Sequence, residues 1–184
     1  MSDKSIVTAV VGTVLVLVVA LAGLSVTGAF NSNVKTAAEA KPAPGFTLES
    51  VEGETVSLSD YEGDVVVIDL MTTTCLTCAE MTPTWKEMME RYPGDDVHFV
   101  AISPESKKTL RNWKQKHDIE MTYLSDTSSE VFLRKYQTHS PPGIVIVDGE
   151  GRIRYKKYGS FVSANEMSSQ IDRILEEQDG QSGQ

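Results

Sequence analysis

Apolar positions along the 184-residue chain follow three patterns. Residues 6–24 form one nearly unbroken apolar run, and no charged residue occurs between Lys4 and Lys35. From residue 65 onward, short continuous runs alternate with stretches in which apolar residues recur at helical spacing. Residues 31–44 and 178–184 are small and polar. The runs at 65–71 and 97–103 read as strands covered on both faces, because a strand with one wet face would alternate. Residues 75–92 place Met81, Trp85, Met88 and Met89 on or near one helical face, and Pro93-Gly94 ends that helix. Further along, the pattern predicts a polar helix over 106–117, a short strand over 121–124 and a short helix over 128–136. A strand, turn and strand follow over 144–148, 149–151 and 152–158. An amphipathic helix over 163–177, carrying Met167, Ile171 and Leu175, closes the series. Helices alternating with strands and ending in a hairpin predict an α/β fold with a mixed sheet between helices.

The first run is long enough to be something other than core. A bilayer needs about 20 apolar residues in a helix, whereas secretory signals have apolar cores of about 7–15. Residues 6–30 are therefore expected to form an uncleaved transmembrane anchor behind a short tail, 1–5. Cleavage at Ala38-Glu39-Ala40 is the competing reading; it lies far beyond the apolar run. No cysteine stands near the start to carry a lipid. Lys4 and the terminal amine flank one side, Lys35 and Lys41 the other, so the cation count favours neither orientation. A first hydrophobic segment normally acts as an export signal, so the domain is expected on the extracytoplasmic side. Residues 31–44 read as a flexible linker, 45–177 as the folded domain and 178–184 as a disordered tail.

Charge narrows the partners. The chain carries 17 Lys and Arg against 26 Asp and Glu, a net −9. The first 44 residues hold two acids and three lysines, which leaves −10 on the rest. Such a body lacks the cationic footprint of a nucleic-acid binder and does not lie on anionic lipid by charge.

Both cysteines fall in Cys75-Leu76-Thr77-Cys78. Random placement would give that spacing in about one case in ninety, so it is informative. The pair follows an apolar strand and opens a helix, where the helix N-terminus favours a thiolate. At this spacing the second sulfur can attack a mixed disulfide formed on the first. Cys75 is the expected nucleophile and Cys78 the resolving thiol. The bland alternatives are a static disulfide, which would close a small loop and stabilise little, or two ligands of a metal site.

The chain resembles the membrane-anchored thioredoxin-like proteins of the TlpA/ResA type, within the redoxin and AhpC-TSA superfamily. The landmarks, spread over residues 43–175, are Ala43-Pro44-Gly45-Phe46-Thr47-Leu48, the segment 53–58, the strand 65–71, and Cys75 to Cys78 with Pro83 five residues on. Tyr136 then precedes Pro142 by six residues, and Pro142 to Asp148 is followed by Gly151-Arg152-Ile153. The resemblance implies a thioredoxin-like three-layer sandwich and a protein-disulfide oxidoreductase. It implies a buried carboxylate at Asp69 that exchanges protons with Cys78, and a cis-proline at Pro142 that shapes the groove for an incoming peptide. Asp69 could otherwise be a strand residue capping a neighbour. The expected partners are cysteine-containing protein substrates and a recycling redox partner, in duties such as cytochrome c or copper-site maturation. No organic cofactor is implied, because the cysteines carry the electrons. Thr74, Thr77, Pro141 and Met81 depart from the family's usual Trp, Pro, Thr or Val, and Glu, and these positions tune thiolate stability. The direction of electron flow depends on them.

Two rivals share parts of this pattern. A Sco-type copper binder would use Cys75, Cys78 and His139, soft ligands suited to copper, although its cysteine spacing is one residue longer. A peroxiredoxin would match at Thr72, three residues before Cys75, but needs a proline where Ile68 stands. His98 and His117 form no zinc spacing, and Met81, Met88 and Met89 read as helix core.

Overall fold

The computed structural model describes residues 35–36, 39–94 and 96–182. The expected anchor at 6–30 lies outside them. Among the described residues no helix is long and apolar enough to cross a membrane.

The two long apolar runs form strands β4 (Val65–Leu70) and β5 (Val97–Ser103), paired in parallel at the middle of an eight-stranded mixed sheet. Five β-branched or aliphatic residues in the six positions of β4 suit a central strand, and every β4 residue is buried. The remaining strands are β1 (Lys41–Pro42), β2 (Thr47–Ser50), β3 (Thr55–Ser57), β6 (Thr122–Ser125), β7 (Gly143–Val147) and β8 (Arg152–Tyr158). The order across the sheet is β1-β8-β7-β4-β5-β6-β2-β3. Strands β4, β5 and β6 run parallel, and β7 runs antiparallel to β4 on its other side.

Connections explain the layers. Between β4 and β5 the chain forms α1 (Leu76–Glu80) and α2 (Thr82–Arg91), and between β5 and β6 it forms α3 (Lys107–His117). Right-handed crossovers progressing in one direction put these helices on one face. There Met81, Trp85, Met88, Leu110 and Trp113 pack with Val65 and Val67 of β4 and with Met71 just past its end. The closing helix α4 (Ala164–Ser182) joins that layer through Met167, Ile171 and Ile174. The return from β6 to β7 crosses the other face as one π-helical turn, Glu130–Lys135, whose Val131 and Phe132 pack on Val66, Ile68 and Leu70. Buried Asp126 starts that turn by accepting the N–H groups of Val131 and Phe132.

Four differences from the sequence pattern have local causes. The single helix expected over 75–92 breaks at Met81, because Pro83 sits in the first turn of α2, lacks an N–H and would clash with the preceding turn. Strands β2 and β3 lie in segments whose short runs give no strong period. The linker contributes β1, paired with β8 as Lys41 to Ile153 and Pro42 to Arg152, and Lys35 N–H donates to the Arg154 carbonyl at 2.9 Å. The tail continues α4 as far as Ser182.

Candidate active site

Strand β4 ends at Leu70, and the next few residues deliver Cys75 to the start of α1. A turn is closed there by Cys75 N–H donating to the Thr72 carbonyl at 3.2 Å. Cys75 caps α1 and is half-buried, with its Sγ accepting the Cys78 N–H at 3.1 Å. Cys78, one turn in, is only 4% exposed. The two are joined as a disulfide with Cα atoms 5.3 Å apart, within the ordinary range. Leu76 between them is 81% exposed, an unusual place for a leucine. The first cysteine is thus partly open to solvent, with its sulfur on a backbone amide, while the second is shielded.

Asp69 is placed by strand parity. Side chains alternate along β4, so Asp69 shares its face with Val65, Val67 and Met71, the face covered by the helix layer that also buries Cys78. Its neighbours across the sheet are Ala101 and Ile144. With 4% exposure, burial disfavours the charged carboxylate and pushes its pKa up to about 7. Trp85 lies close enough to offset part of that rise. No hydrogen bond of good geometry joins the two: Asp69 Oδ1 and Trp85 Nε1 each lack a partner among the described residues.

The Pro141–Pro142 peptide is cis, and Pro142 is buried. It immediately precedes Gly143, which pairs with Leu70 at the end of β4 from which the cysteine loop springs. Gly159 N–H donates to the Pro142 carbonyl at 2.8 Å, tying the end of β8 to the same place. A Cβ on Gly143 would lie 2.6 Å from the Tyr158 ring, so only glycine fits that crossing.

His139 stands exposed four residues before β7. No group of three His, Cys, Asp or Glu side chains among the described residues lies close enough to hold a metal ion, so the structure does not gather His139 with the two cysteines. Ile68 is an interior residue of β4, between Val100 and Val145, where a proline would remove a ladder hydrogen bond. A cleft lined by Leu58, Tyr61, Val66 and Val147 lies at the opposite end of these strands from the disulfide. Glu105, which gave no sequence signal, reaches the cysteine loop from a segment 32 residues away.

Fold and site together define a thioredoxin-like thiol–disulfide oxidoreductase. The chain belongs to the AhpC/TSA family, whose sequence pattern matches residues 40–156. It is 27% identical over 143 residues to the thiol-disulfide oxidoreductase ResA of Bacillus subtilis, covering 77% of this chain and 79% of that one. It is 25% identical over 165 residues to the thioredoxin-like protein YneN of the same organism, covering 88% and 95%. Among solved structures, the thioredoxin domain of a thiol-disulfide oxidoreductase from Bacteroides vulgatus superposes with a TM-score of 0.65 at 19% identity, covering 73% of this chain and 95% of that one. A thiol:disulfide interchange protein from Chlorobium tepidum gives 0.66 at 18%, covering 76% and 99%.

Proposed function

We propose that Cys75 is the attacking thiol, Cys78 the resolving thiol, Asp69 the proton acceptor for Cys78, and Pro142 a wall of the groove that receives the partner. The carrying observation is the asymmetry of the pair, a half-buried Cys75 with its Sγ on an amide N–H against a Cys78 buried on the same side of the sheet as a carboxyl titrating near neutrality. In the reducing direction the Cys75 thiolate attacks one sulfur of a partner disulfide, and the other sulfur leaves as a thiolate. Cys78 then gives its proton to Asp69 and attacks Cys75, which expels the second partner thiolate. Two electrons pass to the partner, and the Cys75–Cys78 disulfide remains for a recycling dithiol to reduce. The reverse sequence donates the disulfide.

The substrates in this reading are cysteines of extracytoplasmic proteins, including those awaiting haem or copper, and residues 6–30 anchor the domain in the membrane. The relatives' oxidoreductase names, the cysteine pair and the apolar run support it. The test uses the full-length chain in detergent with a disulfide-linked peptide. Cys78→Ser accumulates a peptide adduct on Cys75, and Cys75→Ser accumulates none; equal trapping by both variants overturns the assignment. Labelling of reduced Cys75 in intact cells by a membrane-impermeant maleimide checks the orientation, and protection until lysis contradicts it.

A further inference from the structure

The loop that presents Cys75 is held by a side chain outside the exchange chemistry. Glu105 lies between β5 and α3, one residue before Ser106, the N-cap of α3. Its Oε2 accepts the Thr73 backbone N–H at 2.8 Å, and its Oε1 accepts the Thr73 hydroxyl at 2.6 Å. The carboxylate is itself braced: Ser103, the fully buried last residue of β5, donates its hydroxyl to Oε2 at 3.1 Å. The Glu105 carbonyl accepts the Ser125 hydroxyl from β6 at 2.7 Å, and Asp126 N–H donates to the Ser103 carbonyl at 2.8 Å. The ends of two core strands therefore fix Glu105, and Glu105 fixes Thr73. Thr73 lies inside the turn closed by Thr72 and Cys75. Among the described residues no other side chain hydrogen-bonds to residues 72–74.

We propose that Glu105 is a positioning residue, whose carboxylate clamps Thr73 and so holds Cys75 Sγ against the Cys78 amide. This rests on the reading above that Cys75 is the attacking thiol. The clamp consists of charge-assisted hydrogen bonds, the stronger kind. It acts through the turn and touches no reacting atom.

Charge and position predict opposite outcomes when the carboxylate is removed. If Glu105 acted only as a nearby negative charge, its loss would relieve repulsion and make the Cys75 thiolate easier to form. If it positions the turn, its loss lets Sγ drift from the amide and makes the thiolate harder to form. The experiment follows iodoacetamide alkylation of the reduced full-length chain in detergent against pH, with mass spectrometry to show which cysteine reacts. Glu105→Ala is expected to raise the alkylation midpoint of Cys75 by about one pH unit, a tenfold loss of thiolate below the midpoint, equivalent to one lost hydrogen bond. Thr73→Val, which removes the hydroxyl without changing charge, moves it the same way by less. Thr73→Ser returns it toward the parent value, and the double variant Glu105→Ala with Thr73→Val adds little to Glu105→Ala alone. A lowered or unmoved midpoint in Glu105→Ala, with parent-like circular dichroism, overturns the proposal. Alkylation of Cys78 before Cys75 in the parent would overturn the assignment of the attacking thiol, and the clamp's role with it.

Discussion

Two aspartates of one sheet, Asp69 in β4 and Asp148 just past β7, are almost equally buried, at 4% and 3% exposure, yet their surroundings are opposite. Asp148 stands at the hairpin end, away from the disulfide. Its Oδ1 accepts the N–H groups of Glu150 and Arg152 at 3.2 and 2.9 Å, and its Oδ2 receives Arg152 Nε and Arg154 Nη1 at 3.3 Å each. Arg154, itself 1% exposed, also holds Glu177 of α4 and donates to the Lys35 carbonyl at 2.6 Å. Asp69, at the cysteine end, has a partnerless Oδ1 and an indole nearby. A buried carboxylate with all its acceptors used ties three segments together. One left without partners becomes a weak acid near neutral pH, which structure does not require and proton transfer does.

The largest effect should come from breaking the satisfied end. Asp148→Ala strips two backbone N–H groups and leaves Arg154 buried with one partner fewer. We expect a loss of about 3–5 kcal/mol in urea unfolding, the usual cost of orphaning a buried charge. A loss under about 1 kcal/mol would show that water replaces the carboxylate there.

At the other end the sign reverses. Asp69 stays protonated in the native chain up to about pH 7, while the unfolded chain ionises it near the ordinary 3.8. Between those values the native state binds more protons, so stability falls as pH rises from about 4 to 7, by on the order of 4 kcal/mol. Asp69→Asn cannot titrate and should abolish that slope. The variant should be the more stable at pH 8, with the gap closing toward pH 4, and a parent whose stability rises over this window would contradict the assignment. The same substitution should slow resolution of a Cys75 mixed disulfide by about 10²-fold at pH 7, the low end for losing a general base, as read by quenched-flow decay of the adduct. Lys107→Ala removes a surface ion pair far from both carboxyls. That half-exposed partner of Glu49 should change stability by less than about 1 kcal/mol, and less still in high salt.

The alternation of elements, the central strands and the cysteine pair were all legible in the chain, because each depends on spacing within a dozen residues or fewer. The sheet's edges were less so. Residues 41–42 and 47–50 carry no strong period of their own, and they are strands because β8 and β6 offer free hydrogen-bonding edges. Of the residues proposed for the site, Cys75, Cys78 and Pro142 stand out by motif order, whereas Glu105 does not. It is one acid among 26 charged carboxyl residues, and only the approach of the β5–α3 loop to Thr73 distinguishes it.

By itself, then, the order of residues determined where the central strands and the main helical stretches lie, which of their residues face inward together and where the redox sulfurs sit, since these follow from backbone geometry and local period. Tertiary structure alone decided that Asp69 lacks the partners Asp148 has, that Glu105 grips the turn before Cys75, and that a polar linker lies along the edge of the sheet. Desolvation and long-range hydrogen bonds depend on what other segments bring to a residue, and no local pattern carries that information.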